Sequence, residues 1–228
     1  MTRDLRGPRT ATAMSARAEL LTRKLNQHVG DNWLHQFELR TDGEVSSPQN
    51  LSHRQQVLES LFATLFAERS VLVLEEASGV YPALIKRAGA QAVAASSPYE
   101  ATRDLISEVS EFLEAQIEII PSRVVGFFQD EPYVDMQYGS SYEFLLALGR
   151  LWPMYRASGG SFDAVVEACA HVVTDGLVLD WTDATWASPP PEYTRAAFCE
   201  ALEKKFGYVT VYSDWLVVAL GKLGAPAI

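Results

Sequence analysis

Val71-Leu72-Val73-Leu74-Glu75-Glu76-Ala77-Ser78-Gly79 reads as a buried parallel strand that runs straight into a turn. Its four leading residues are all apolar and show no alternation, so both faces of the strand must be covered by other elements. Two acids and three small residues follow, then a helical pattern from Tyr81 to Arg87 that stops at Gly89. Strand, small-residue turn and helix form the unit with which an open α/β sheet builds a ligand crevice at the carboxyl ends of its strands.

Working outward, the same alternation recurs downstream. Strands are predicted at residues 91–95, 117–120, 142–148 and 176–181, with helices at 98–115 and 162–173. Pro98 stands at the start of the first of these helices, where a missing N–H costs nothing. A last helix at 193–206 precedes two strands, 208–212 and 215–220, that Ser213-Asp214 separates so closely that they must be antiparallel neighbours at one sheet edge. Upstream, Leu20, Leu21, Leu25 and Val29 give a helical spacing over 14–29, residues 33–39 alternate like a strand before an Asp42-Gly43 turn, and Ser52 caps a helix to about Phe66. The fold class that follows is α/β: a Rossmann-like, mostly parallel seven-stranded sheet with an antiparallel last strand and helices on both faces. The chain divides into a disordered arm at 1–13, an N-terminal lid or cap segment at 14–49 and the α/β domain at 50–228. One long irregular insertion, 124–141, is aromatic and acidic.

Composition narrows the function. The 228 residues carry a net charge of -10, which repels a phosphate backbone and argues against nucleic acid as a partner. No apolar run reaches the length of a membrane span, and no charged start precedes a signal-like apolar stretch, so a cytoplasmic protein away from membranes is expected. Cys169 and Cys199 are expected as free thiols. No His, Cys and carboxylate set has metal-ligand spacing, so no metal is expected.

Several side chains fall where the predicted crevice opens. Glu75 and Glu76 follow one strand and Asp180 ends another, so each could act as ligand or catalytic acid–base group. Arg150, directly after a strand, suits a carboxylate or phosphate, or equally an ion pair with Glu143 or Asp180. Tyr138, Tyr142, Trp152, Tyr155, Trp181, Trp186 and Tyr193 cluster in the loops around the crevice mouth, where aromatics suit an apolar or cationic organic substrate or simply pack a cap. Trp33 and His35 join them from the N-terminal segment, His35 with Glu38 as an acid–base pair or as ordinary surface residues.

The order of elements, with its final antiparallel pair, resembles the class I S-adenosylmethionine-dependent methyltransferase fold from about residue 50 to 224. Residues 70–82 look like the family's first motif, and residues 86–90 look like the close of the helix that follows it. Residues 33–39 with the Asp42-Gly43 turn are similar to the opening segment of wobble-uridine tRNA methyltransferase relatives, and residues 149–153 occupy the place of the family's loop above the cofactor. The resemblance implies S-adenosylmethionine as cofactor, with Glu75, Ala77, Ser78, Gly79, Ser96 and Gly149 at its binding positions.

The departures are as specific as the matches. The motif's acidic position is Val73, its first two glycine positions are Glu75 and Ala77, and only Gly79 remains. The ribose carboxylate falls on Ser96 or Ser97, and the acid near adenine on Ser122 or Arg123. Glu75 and Glu76 would repel a cofactor's carboxylate and attract its ammonium and sulfonium groups. Two functions follow as expectations. One is methyl transfer to a small organic acceptor, as in a natural-product tailoring pathway. The other is a repurposed fold that does not methylate, either a cofactor-independent cyclase or isomerase or a silent partner subunit. A homodimer through the last strand pair or the N-terminal helix fits either.

Overall fold

The computed structural model of the chain describes residues 8–29, 37–46, 52–74, 77–121, 142–181 and 189–224. In chain order the helices are α1 Pro8–Val29, α2 Ser52–Leu65, α3 Val80–Arg87, α4 Glu100–Phe112, α5 Leu151–Ala157, α6 Phe162–Val172 and α7 Arg195–Glu203. The strands are β1 Glu38–Leu39, β2 Val45–Ser46, β3 Ser70–Val73, β4 Ala92–Ser96, β5 Glu118–Ile120, β6 Tyr142–Ala147, β7 Val173–Asp180, β8 Phe206–Ser213 and β9 Leu216–Lys222.

β3 to β9 form one seven-stranded sheet in the order β5-β4-β3-β6-β7-β9-β8. Every pairing from β5 across to β7 is parallel, and β9 enters antiparallel between β7 and β8. This is the sheet expected from the sequence, with the antiparallel strand where the closing pair places it. The reason lies in the apolar runs. Along β3, Leu72 and Leu74 belong to the core on one side of the sheet, while Val71 and Val73 belong to the core on the other. A strand covered on both faces has no polar side to show water, and the sequence shows none.

α1 and the β1–β2 hairpin share the second of these cores. Leu21 and Leu25 of α1, with Phe37 and Leu39, lie in it beside Phe62, Tyr81 and Val109. α1 runs antiparallel along α4, held by Lys24 to Glu108 at 2.7 Å, Arg17 to Glu111 at 3.1 Å and His28 Nε2 to Thr102 Oγ1 at 2.8 Å. The helix begins at Pro8, well before Met14, so residues 8–13 continue it backwards instead of belonging to an arm. Residues 1–7 of that expected arm lie outside the described residues.

Two further differences have clear causes. Residues 149–153 are not a loop throughout: Leu151, Trp152 and Pro153 open α5. A seven-residue helix offers two turns of pattern, and a proline near its start hides even that, although proline in a first helical turn blocks no intrahelical hydrogen bond. β7 starts at Val173, where α6 was expected to continue, so the strand is longer than its apolar run. The two cysteines are free: Cys169 is buried against Met154, its thiol pushed up to about 12 by desolvation, and Cys199 is half-buried.

At the amino edge of the sheet, Arg69 donates to Glu143 at 2.5 Å, and the Ser70 N–H donates to the same carboxylate at 2.8 Å. These contacts join the start of β3 to the start of β6 and fix the register in which Val71 stands beside Phe144. Partial burial pushes the Glu143 carboxyl up, but the hydrogen bonds from Arg69 and Ser70 outweigh it and hold the group below the usual glutamate range. Its stabilising contribution is therefore complete above the unfolded value of about 4.3 and disappears as pH falls through the lowered folded value. Glu143→Gln is expected to cost about 1–2 kcal/mol at neutral pH, allowing for the half-exposed Arg69. Urea unfolding should show the gap from wild type closing as pH is lowered to about 2, and a gap independent of pH would contradict this assignment.

Candidate ligand crevice

Because β3, β4, β6 and β7 are parallel, the turns that follow them all leave the sheet at one edge. After β3, the Leu74 N–H donates to the Leu146 carbonyl at 2.9 Å, so the β3–β6 pairing persists to the crevice floor. Ala77 is half-buried, and Ser78 and Gly79 are buried. Ser78 Oγ accepts from the Val80 N–H at 3.2 Å and turns the chain into α3.

Gly79 has φ +79, in the left-handed region that side chains disfavour. A Cβ there would lie 2.8 Å from the Ile106 Cα and 3.1 Å from its carbonyl oxygen, both backbone atoms of α4. Gly79 is therefore needed for helix packing, independently of any ligand.

After β4, Ser96 and Ser97 are buried, and the Ser97 N–H donates to the Ile120 carbonyl at 2.9 Å. The turn into α4 is tied down by Arg103, whose Nη1 donates to the carbonyls of Ser97 at 3.2 Å and Pro98 at 2.9 Å. The sequence carried a sign of this residue. A cation in the first turn of a helix opposes the helix dipole, so another contact must account for it. After β6, Gly149 adopts φ +67 and Arg150 is the N-cap of α5, half-buried. Ala147 stands beside Leu179, so residues 148–150 leave the sheet next to Asp180, the buried last residue of β7.

The crevice thus gathers Ala77, Ser78, Gly79, Ser96, Gly149, Arg150 and Asp180 at one edge. Glu143 is committed to Arg69 at the opposite edge and is no partner for Arg150. Trp33, His35, Glu75, Glu76, Tyr138 and Trp186 lie outside the described residues, as does the insertion at 124–141.

The aromatic residues divide. Trp152, Tyr155, Trp181 and Tyr193 come together: Trp181 stacks on Tyr193 at 5.0 Å, and Tyr193 meets Trp152 and Tyr155 edge-on, each at 4.9 Å. Phe162 and Phe198 complete the cluster. Trp152, Tyr155 and Tyr193 are buried, whereas Trp181 is half-buried and presents the cluster's accessible edge. Tyr142 does not join them. It is the first residue of β6 and therefore sits at the amino edge, with its hydroxyl 3.5 Å from Glu118. An aromatic that starts a parallel strand lies a full strand length from the crevice.

Comparison with solved structures identifies the architecture. The chain superposes on the magnesium protoporphyrin IX methyltransferase of Synechocystis PCC 6803 with bound S-adenosylmethionine at a TM-score of 0.55 and 15% identity, covering 93% of this chain and 97% of that one. The same enzyme with bound S-adenosylhomocysteine gives 0.54, at 14% identity and 90% and 96% coverage. A Streptococcus mutans protein assigned to the S-adenosylmethionine-dependent methyltransferases gives 0.51 at 12% identity, over 74% of this chain and 48% of that one. The fold is that of the class I S-adenosylmethionine-dependent methyltransferases. No known family profile matches the chain, and no curated protein matches it in sequence.

Two glycines separate packing from strain. Gly79→Ala is expected to lower stability by about 2–5 kcal/mol, combining the left-handed backbone with the clash on α4. Gly159→Ala has a similar φ of +73 but nothing within 4 Å of the new Cβ, and should cost only the backbone share of about 1–2 kcal/mol. Equal losses in urea unfolding would show that α4 does not approach Gly79 as closely as described.

Proposed function

We propose that this chain transfers a methyl group from S-adenosylmethionine to a small organic acceptor. The observation that carries the reading is the convergence of the turns after β3, β4 and β6 on one crevice, with Gly79 and Gly149 both in left-handed backbone. The Synechocystis enzyme on which the chain superposes at a TM-score of 0.55 has S-adenosylmethionine bound, which supports the assignment.

The residues present fit such a cofactor in placement and hold it weakly in charge. Ser96 and Ser97, both buried, offer hydroxyls where the fold's relatives carry a ribose carboxylate, and a neutral hydrogen bond is worth about half a charged one. Val73 is buried in the core and offers no polar group. When bound, S-adenosylmethionine supplies an electrophilic methyl group. This chain's own part is to orient the acceptor and to take its proton. Asp180 is assigned the proton because it ends β7 at the crevice, and Arg150 the anchoring of an anionic group on the substrate. Glu75 and Glu76 favour the cofactor's ammonium and sulfonium charges. Trp181, at the accessible edge of the aromatic cluster, covers an apolar part of the acceptor, stacked on Tyr193, which Trp152 and Tyr155 back in turn. An acidic surface favours a small molecule over RNA as acceptor.

Calorimetric titration with S-adenosylmethionine and S-adenosylhomocysteine tests the reading. Dissociation constants between about 10 μM and 1 mM are expected, in the range of ordinary enzyme–substrate affinities and toward its weak end. No binding at millimolar ligand by folded protein would overturn methyl transfer by this chain. If binding then appeared in Glu75→Gly with Glu76→Ala, the fold would be one in which those acids replaced the cofactor's hold.

A further inference from the structure

β8 ends the sheet: it pairs with β9 on one side and with no other strand among the described residues. An edge strand of eight residues presents alternate N–H and C=O groups to any strand that can reach them, and soluble proteins commonly guard such edges with lysine, proline or an inward charge. β8 has none of these. Its sequence, Phe206-Gly207-Tyr208-Val209-Thr210-Val211-Tyr212-Ser213, is uncharged throughout in a chain of net charge -10.

The strand is also a palindrome. Tyr208-Val209-Thr210-Val211-Tyr212 reads the same in both directions about Thr210. We propose that β8 is a homodimer interface, in which two copies of this chain pair antiparallel through their β8 strands about a two-fold axis at Thr210. In that register Tyr208 of one copy stands opposite Tyr212 of the other, Val209 opposite Val211, and Thr210 opposite itself. Aromatic–aromatic, β-branched and Thr–Thr pairs are the combinations that stabilise antiparallel ladders. A two-fold interface requires a self-complementary surface, and a palindromic strand supplies one in sequence.

The surroundings favour a second copy as the occupant. Of the seven large apolar side chains exposed among the described residues, Tyr208, Val211 and Tyr212 lie on this strand. Leu223, a fourth, lies beside it, since a Cβ on Gly207 would come 3.7 Å from a Leu223 methyl. The register with β9 is regular from Phe206 to Val211 and shifts only between Val211 and Ser213, so the strand is straight through the proposed axis. The lysines that precede the strand are neutralised within the chain, Lys204 by Asp163 and Lys205 by Glu167, so no net charge crowds that end of the strip. An acidic protein meeting itself elsewhere would bring like charges together, and this neutral strip avoids that.

Sedimentation equilibrium on the full chain tests the proposal, with a concentration-dependent dimer expected in the micromolar range, as suits an interface built largely on one strand pair. Thr210→Lys sets two like charges face to face on the axis and should weaken dimerisation at least tenfold while the melting temperature of the monomer stays near wild type. Thr210→Cys in a Cys199→Ser background should form a disulfide-linked dimer under copper–phenanthroline, because opposed residues in an antiparallel pair lie within disulfide reach. Ser213→Cys in the same background should not. A chain that remains monomeric to about 100 μM, a dimer that Thr210→Lys leaves intact, or equal cross-linking at residues 210 and 213 would each overturn it.

Discussion

The backbone of α4 runs so close to the turn after β3 that residue 79 has no room for a side chain. Much of the molecule depends on that approach. It sets the depth to which α4 sinks onto the sheet, and α4 in turn carries the Ser97–Pro98 turn on Arg103 and receives α1 along its outer face. A larger residue at 79 would lift α4, and with it one wall of the crevice. The approach also explains why residue 79 must be glycine whatever the crevice holds. Glycines that serve a ligand can be lost when the ligand's demands change, but a glycine that admits a backbone is required by the fold itself.

Polar interactions are distributed unevenly between the two edges of the sheet. The amino edge is closed by Arg69, Ser70 and Glu143, whose hydrogen bonds satisfy one another and bind β3 to β6. The carboxyl edge collects buried hydroxyls, an aspartate and left-handed glycines, held by the turn bonds of Ser78 and Arg103. This division follows from parallel strands. Their helical crossovers bring the start of each strand back to the same edge, where register can be locked, and leave the opposite edge to the turns.

The sheet was legible because its signal is repeated. Apolar runs such as 71–74 and 144–147 admit few structures other than covered strands, and the short connection at Ser213-Asp214 leaves two strands little choice but to pair. α5 was not legible because two helical turns containing a proline carry less pattern than an ordinary loop. The start of α1 at Pro8 escaped for a related reason: residues 8–13 contain no apolar period to extend. The crevice was legible in position and not in chemistry. Gly79, Ser96, Gly149 and Asp180 could be placed from the strand ends, whereas Tyr142 was misplaced by assigning an aromatic to the wrong end of its strand. Arg103 left only an indirect mark, a cation in the first turn of a helix, because its partners are backbone carbonyls that the sequence does not name.

Val73 stands where the resemblance to the methyltransferases leads one to expect a carboxylate, and its burial has a consequence for stability. Residue 73 is 2% exposed and packs into the core that α1, α2 and α3 cover. An ionised side chain at such a depth is tolerated only with a partner that compensates its lost hydration. In a fold that holds its cofactor through charge, that requirement is met when the site is filled and weighs on the protein when it is empty. Valine removes the requirement and adds apolar contact. At the end of β4 the corresponding groups are the neutral hydroxyls of Ser96 and Ser97, both buried. Apolar and neutral groups at these depths favour the stability of the protein over recognition by charge, the usual direction of conflict between stability and function. A valine at residue 73 thus needs no ligand to compensate it, and the core beneath the crevice closes on apolar contacts alone.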